Sequence, residues 1–125
     1  MGVRYLIDSN SLIEFQANLL PEKGQLFVSK AVDESFNISI INEIEVLGHK
    51  SSTPELEEFI SLANILDLSS EIAKATVELR KNHRIKLGDA IIEATAMVNG
   101  FTLITRNTTD FKNIKGLNVL NPFEI

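Results

Sequence analysis

The sequence contains no cysteine, and no apolar stretch reaches the roughly 18 residues that a membrane-spanning helix needs. Without cysteine the chain has no disulfide framework, no thiolate metal ligand and no cysteine nucleophile. The first residues also lack a basic segment followed by a long apolar run, the pattern of a secretory leader. We therefore expect a soluble protein of a reducing compartment, namely the cytoplasm.

Basic residues are scarce: 12 Lys and Arg stand against 17 Asp and Glu, which gives a formal net charge of −5. A general nucleic-acid binder normally has a basic excess, so such binding here would need a local basic patch, metal ions or a second chain. With 44% hydrophobic and 23% charged residues, the composition is that of a globular protein and excludes disorder for most of the chain. The length of 125 residues predicts one domain over residues 1–125.

Short apolar segments alternate with helical patterns along the chain. We predict strands at residues 3–7, 36–41, 65–68, 101–105 and 117–120. We predict a first helix capped by Ser9 or Asn10 and a second with Pro21 in its first turn. Two more are predicted after the caps Thr53 and Ser69 or Ser70. Residues 89–98 are apolar on nearly every side, which predicts a buried helix that ends at residues 99–100. The alternation predicts an α/β fold with a central, mainly parallel sheet of four or five strands flanked by helices.

Acidic residues follow three of the predicted strands, and another begins the buried helix. In parallel α/β sheets, sites form outside the carboxyl ends of the strands, so we expect these side chains to share one edge. The residues are Asp8 after the first strand, Glu43 and Glu45 after the second, Asp110 with Asn107 after a later one, and Asp89 at the helix.

Each acid also has a local explanation. Asp8 and Asp89 can cap their helices, Glu43 and Glu45 can favour a positive helix end, and Asp110 can serve a turn. If the acids converge, however, they repel one another and raise one another's pKa, which a divalent cation relieves. Oxygen ligands without cysteine or paired histidines favour Mg²⁺ or Mn²⁺.

Four motifs, in order, resemble those of the PIN-domain family, in particular its VapC-type toxin ribonucleases. Tyr-Leu-Ile-Asp-Ser-Asn at residues 5–10 is similar to the opening strand and turn of the family. Residues 39–45, Ser-Ile-Ile-Asn-Glu-Ile-Glu, resemble its second strand exit. Residues 87–96, with Gly-Asp-Ala-Ile-Ile-Glu-Ala-Thr-Ala, resemble its buried helix, and Thr-Arg-Asn-Thr-Thr-Asp-Phe at residues 105–111 resembles a late strand end.

The resemblance implies a PIN-like three-layer sandwich and a Mg²⁺- or Mn²⁺-dependent endoribonuclease, the toxin of a type II toxin–antitoxin pair. Water activated by the metal would hydrolyse RNA phosphodiesters. The resemblance assigns catalysis and metal binding to four acids, namely Asp8, Glu45, Asp89 and Asp110. Glu45 is the preferred glutamate, and Glu43 stays open as the alternative. Asn10, Thr105 and Asn107 are suited to hydrogen bonds that fix these carboxylates.

For partners, the resemblance implies an RNA substrate, a cognate antitoxin and a homodimer. Arg84, Lys86 and Arg106 are the expected RNA contacts, because they lie near the acids in sequence. The apolar residues between Leu12 and Phe36 offer a surface for a protein partner or belong to the core. Two other function classes stay open, a non-catalytic PIN-like interaction module and a phosphoacceptor receiver domain.

Overall fold

Five short parallel strands form one central sheet. The computed structural model describes residues 2–109, 111 and 113–125. Its strands are β1 Tyr5–Ile7, β2 Asn37–Ser39, β3 Asn64–Leu66, β4 Thr102–Ile104 and β5 Val119–Leu120. They lie in the order β3-β2-β1-β4-β5, and each neighbouring pair is parallel. The predicted parallel α/β fold is confirmed, although each strand is shorter than predicted.

Seven helices connect and cover the strands in the described part of the chain. They are α1 Ser9–Gln16, α2 Glu22–Glu34, α3 Ile40–Leu47, α4 Pro54–Ser61, α5 Ser70–Asn82, α6 Leu87–Asn99 and α7 Thr108–Phe111. Thr53 and Ser69 cap α4 and α5 through side-chain oxygens that accept backbone N–H bonds, as the sequence predicts. Gly100, at φ 68°, ends α6 in the left-handed conformation. Among the described residues, no helix combines the length and apolarity needed to cross a bilayer.

Three predicted boundaries were wrong, and local capping explains two of them. Asp8, rather than Ser9 or Asn10, caps α1, because its side chain accepts the N–H of Ser9. The second predicted strand ends early, since Ser39 and Asn42 form a reciprocal capping box that starts α3 at Ile40. Pro21 precedes α2 as its N-cap instead of lying in its first turn.

The alternation of side chains along the strands divides the core into two halves. Leu6 and Leu103 point to one face of the sheet, where they pack with buried residues of α5 and α6. Ile7 and Ile104 point to the other face and pack with residues of α1 to α4. The result is a sheet between two helical layers, the three-layer sandwich that was predicted. As predicted, α6 is buried along most of its length, from residue 90 to residue 96.

The strand order fixes where a site can form. The chain runs outward from β1 through β2 to β3, and then returns through α5 and α6 to place β4 on the other side of β1. The order therefore reverses between β1 and β4. Helices leave the sheet in opposite directions at such a point, and their separation opens a crevice at the carboxyl ends of the strands. Asp8 follows β1 and Thr105 follows β4 at this position.

Candidate active site

Asp8 lies at the reversal point and is held by the end of β4 and by the start of α1. Its side chain is buried, with 8% of the residue exposed. Its backbone N–H donates to the carbonyl of Ile104 at 2.9 Å, which ties the end of β1 to β4. Its Oδ1 accepts the N–H of Ser9 at 2.9 Å, and its Oδ2 accepts the hydroxyl of Thr105 at 2.8 Å. Asp8 is therefore both a helix cap and an oriented carboxylate at the site.

Burial raises the pKa of Asp8 above its ordinary value of 3.8, because desolvation disfavours the charged form. Hydrogen bonds from Thr105, Ser9 and Asn42 act in the opposite direction and do not offset this effect. All three donors are neutral. Within the described residues, no Lys or Arg forms an ion pair with Asp8. A nearby cation would therefore stabilise the ionised carboxylate strongly.

Glu45 lies on α3 and is linked to Asp8 through a single residue. The hydroxyl of Ser9 donates to Glu45 Oε1 at 2.6 Å. The same hydroxyl accepts from Asn42 Nδ2 at 3.0 Å, and Asn42 Nδ2 also contacts Asp8 Oδ1 at 3.4 Å. The structure thus brings Asp8 and Glu45 together. Glu43 lies in the first turn of α3, and the described contacts to Ser9 are made by Glu45.

The sequence reasoning missed Asn42, which is completely buried at the centre of this contact network. A local signal was present, since Ser39 and Asn42 have the three-residue spacing of a capping box. That spacing predicts a helix start. It does not predict that the amide of Asn42 continues to Asp8 and Ser9, which are more than thirty residues earlier in the chain.

Asp89 borders an open cleft of about 540 Å³. Its lining combines acidic, amide, basic and apolar side chains, namely Arg80, Arg84, Ile85, Lys86, Asp89, Asn107 and Phe111. Glu45 lies close to the start of α6, the helix that carries Asp89, because a Cβ added to Gly88 would be 3.7 Å from Glu45 Oε2. Asp89 is in the first turn of α6, but the N-cap of that helix is Lys86. The suggested capping role of Asp89 is therefore wrong.

The three predicted supporting residues differ in their surroundings. Thr105 is fully buried, and its hydroxyl donates to Asp8 while accepting the backbone N–H of Asn107 at 3.1 Å. Asn107 itself lines the cleft beside Asp89. The contact described for Asn10 lies within α1, where its Oδ1 accepts from Ser11 Oγ at 3.3 Å. Thr105 therefore contacts one of the predicted acids, Asp8, directly.

Arg106 is engaged away from the cleft. Its guanidinium forms an ion pair with Glu14 on α1, and it lies over the ring of Phe123, 5.2 Å from the centroid. Arg84 and Lys86, in contrast, both line the cleft. Of the three predicted RNA contacts, the structure therefore brings two to one surface and places Arg106 at a junction between α1 and the C-terminal segment.

The chemistry of the donors fits a hard divalent cation. Asp8, Glu45 and Asp89 offer carboxylate oxygens of the kind that Mg²⁺ and Mn²⁺ prefer. Among the described residues, no three His, Asp or Glu side chains lie close enough to enclose a metal ion. Asp110, the fourth predicted ligand, lies outside the described residues. The four-carboxylate metal site therefore stays a prediction.

A model of the PIN domain matches residues 5–117. The chain therefore belongs to the PIN-domain family, as its motifs and its sheet order indicate. The match excludes the receiver-domain interpretation.

Individual relatives show which members of this family the chain resembles. Ribonuclease VapC1 from Rickettsia felis is 51% identical over 126 aligned positions, which cover 92% of this chain and 93% of that protein. Plasmid stability protein StbB from Pseudomonas syringae pv. tomato is 40% identical over 65 residues, 48% of this chain and 46% of that protein. A toxin–antitoxin complex from Klebsiella pneumoniae contains a chain with 35% identity and a TM-score of 0.73, with 97% of this chain and 99% of that chain covered. The VapC-type resemblance is thereby confirmed.

Proposed function

We propose that this chain is a Mg²⁺- or Mn²⁺-dependent endoribonuclease, formed as one domain over residues 1–125, and that it is the toxin of a type II toxin–antitoxin pair. The observation that carries the proposal is the buried Asp8 at the reversal point, linked through Ser9 to Glu45 and held by neutral donors. The name of the Rickettsia felis relative and the toxin–antitoxin complex from Klebsiella pneumoniae support the same assignment.

Asp8, Glu45, Asp89 and Asp110 are the residues that would hold the metal. When bound, a divalent ion supplies an activated water and stabilises negative charge on the phosphate under attack. The chain contributes orientation: Thr105 fixes one oxygen of Asp8, and the backbone N–H of Ser9 fixes the other. Because Thr105 is fully buried, this carboxylate is held in place before RNA arrives.

The cleft beside Asp89 is the proposed path of the RNA strand. Arg80, Arg84 and Lys86 supply three positive charges to it, although the whole chain is acidic. Phosphate contacts of this kind position a nucleic acid without reading its sequence. An RNA strand bound along this path would contact these positive charges through its sugar–phosphate backbone and would have a phosphate next to Asp89.

RNA binding through the cleft is testable by salt dependence. For Arg84→Ala, we expect weaker binding of a single-stranded RNA. The slope of the logarithm of the binding constant against the logarithm of the salt concentration should be smaller in magnitude by about 0.7, the value for one lost phosphate contact. Lys81→Ala is the matched control, because Lys81 is exposed, pairs with Glu78 at 3.8 Å and does not line the cleft. Equal slopes for the two variants would argue against this path.

The nuclease assignment is tested by cleavage of RNA in the presence of Mn²⁺. We expect the wild type to cleave and EDTA to abolish cleavage. Asp8→Asn should reduce the rate at least about a hundredfold, which corresponds to roughly 2.7 kcal/mol of lost transition-state stabilisation. Asp67→Asn is the control, since Asp67 directly follows β3 as Asp8 follows β1 but is exposed. A wild type that leaves RNA intact at enzyme concentrations above substrate would support the non-catalytic interaction module.

The toxin role requires a protein partner, and part of the predicted surface is available for one. Leu12 and Phe36 belong to the core, whereas Leu19 and Leu26 are 65% and 66% exposed. We propose that such exposed apolar side chains contact an antitoxin or a second copy of the chain. Growth should stop on expression of the wild type but not of Asp8→Asn, and coexpression of the cognate antitoxin should restore it. Size-exclusion chromatography tests the homodimer.

A further inference from the structure

We infer that Asn42 is a positioning residue, which aligns Asp8 and Glu45 through the hydroxyl of Ser9. The inference rests on the proposed function, because it concerns how the chain orients two of the proposed metal ligands. Asn42 is not an acid and would not itself bind the ion. It is fully buried on α3, one helical turn before Glu45.

The orientation of the Asn42 amide is fixed by its partners. Its Oδ1 accepts the backbone N–H of Ser39 at 2.9 Å, and a backbone N–H can only donate. The nitrogen of the amide must therefore face the other way, toward Ser9 Oγ at 3.0 Å and Asp8 Oδ1 at 3.4 Å. An amide can make both contacts at once, because it has an acceptor at one end and donors at the other.

The direction of this bond determines what Ser9 does. Because Ser9 Oγ accepts a hydrogen from Asn42, its own hydrogen is directed to Glu45 Oε1, at 2.6 Å. A neutral chain of donors thus runs from Asn42 through Ser9 to Glu45, with a branch to Asp8. It sets the positions of two carboxylates without adding a positive charge that would compete with a metal ion.

A purely structural role is the alternative, since Asn42 also belongs to the capping box of α3. Ser39→Ala separates the two roles. It removes the Ser39 Oγ that accepts from Ile41 N at 3.1 Å, but it leaves the Ser39 N–H that orients Asn42. This variant should weaken the helix start while the link from Asn42 to Ser9 stays intact.

The experiment measures the affinity of the full chain for Mn²⁺ alone, without RNA, by electron paramagnetic resonance of the free ion. We expect Asn42→Leu and Ser9→Ala each to weaken binding by about tenfold, a typical effect of residues that orient metal ligands. The double variant should be no more than about threefold weaker than either single variant, because both act in one chain of contacts. Ser39→Ala should bind Mn²⁺ within about twofold of the wild type, despite a lower melting temperature.

Three results would overturn the inference. Wild-type affinity in Asn42→Leu would leave the residue with a structural role only. If that variant does not fold, unchanged affinity in Ser9→Ala overturns the inference equally, since it breaks the same link without touching the cap. A fully additive loss in the double variant, about a hundredfold, would show that the two residues act separately. A fourth result is distinct from these three: if the wild type itself binds no Mn²⁺, both the proposed metal site and the inference are excluded.

Discussion

Asp8→Asn isolates the charge of the central carboxylate from its shape. An asparagine keeps Oδ1, which can still accept the N–H of Ser9, and asparagine and aspartate are about equally good helix caps. Its Nδ2 would face Thr105 Oγ1, and a hydroxyl can turn to accept as well as donate. The substitution therefore keeps a possible hydrogen bond at each end of the side chain and removes one negative charge from a buried position.

The sign of the effect follows from the raised pKa of Asp8. Below its ordinary value of 3.8 the carboxyl is neutral in the folded and the unfolded chain, and the stability of the folded state is fully present. As the pH rises toward and through the raised folded pKa, the unfolded chain ionises first and stability is lost. At neutral pH without metal, Asp8→Asn should therefore melt at the same temperature as the wild type or higher. Each unit of pKa difference corresponds to about 1.4 kcal/mol.

Added metal should reverse the order of the two proteins. At a Mn²⁺ concentration of about 100 times the dissociation constant, the wild type gains roughly 2.7 kcal/mol of stability. For a chain of 125 residues, each kcal/mol raises the melting temperature by about 4 °C, so the expected gain is about 10 °C. Asp8→Asn should gain less than about a third of this, because it lacks the charge of one of the proposed metal ligands.

Differential scanning calorimetry of both proteins, in EDTA and in Mn²⁺, measures these shifts. Asp67→Asn serves as the control and should show the same gain as the wild type, since Asp67 is exposed. If Asp8→Asn melts well below the wild type in EDTA at neutral pH, the charge of Asp8 stabilises its helix more than burial disfavours it, and the reasoning is refuted. Equal gains in Mn²⁺ would place the metal elsewhere.

Three further substitutions test a contact of Asp8 and two contacts of the C-terminal part of the chain. Thr105→Val removes a hydroxyl that donates to Asp8. At neutral pH the free energy of unfolding, measured in urea, should fall by about 1.5–3 kcal/mol. Below pH 3.8 the loss should be smaller, because the carboxyl is then protonated. Gly24→Ala places a Cβ against the carbonyl oxygen of Pro122 and should lower the free energy of unfolding by about 1–3 kcal/mol, whereas Gly2→Ala, with nothing within 4 Å, should have no effect. Arg106→Ala removes the cation that pairs with Glu14, whose side chain is only 14% exposed. The free energy of thermal unfolding should fall by about 1–3 kcal/mol. An unchanged melting temperature would contradict a stabilising role of this ion pair.

Local signals in the sequence predicted most of the fold. Thr53, Ser69 and Gly100 mark helix ends through contacts within a few residues, and the apolar run of α6 is explained by its burial between the sheet and α5. The second strand was predicted too long because Ile40 and Ile41 are apolar. Hydrophobicity alone does not distinguish the end of a buried strand from the start of a helix.

The site was predictable only as far as the topology determines it. Acids that follow parallel strands share an edge, and this placed Asp8 near Glu45. The contacts between them depend on side-chain directions that sequence spacing does not contain. Arg106 shows the limit: it is the second residue after β4, yet its guanidinium turns toward Glu14, which is 92 residues earlier in the chain.

The placement of β1 in the middle of the sheet has a consequence during translation. Asp8 is synthesised before the residue that orients it, because the hydroxyl that donates to Asp8 belongs to Thr105, which follows 97 residues later. At about 5–20 residues per second, a ribosome needs roughly 5–20 s to bridge that interval. The carboxylate of Asp8 can therefore gain this hydrogen bond only after β4, the strand beside β1, and Thr105 have both been synthesised.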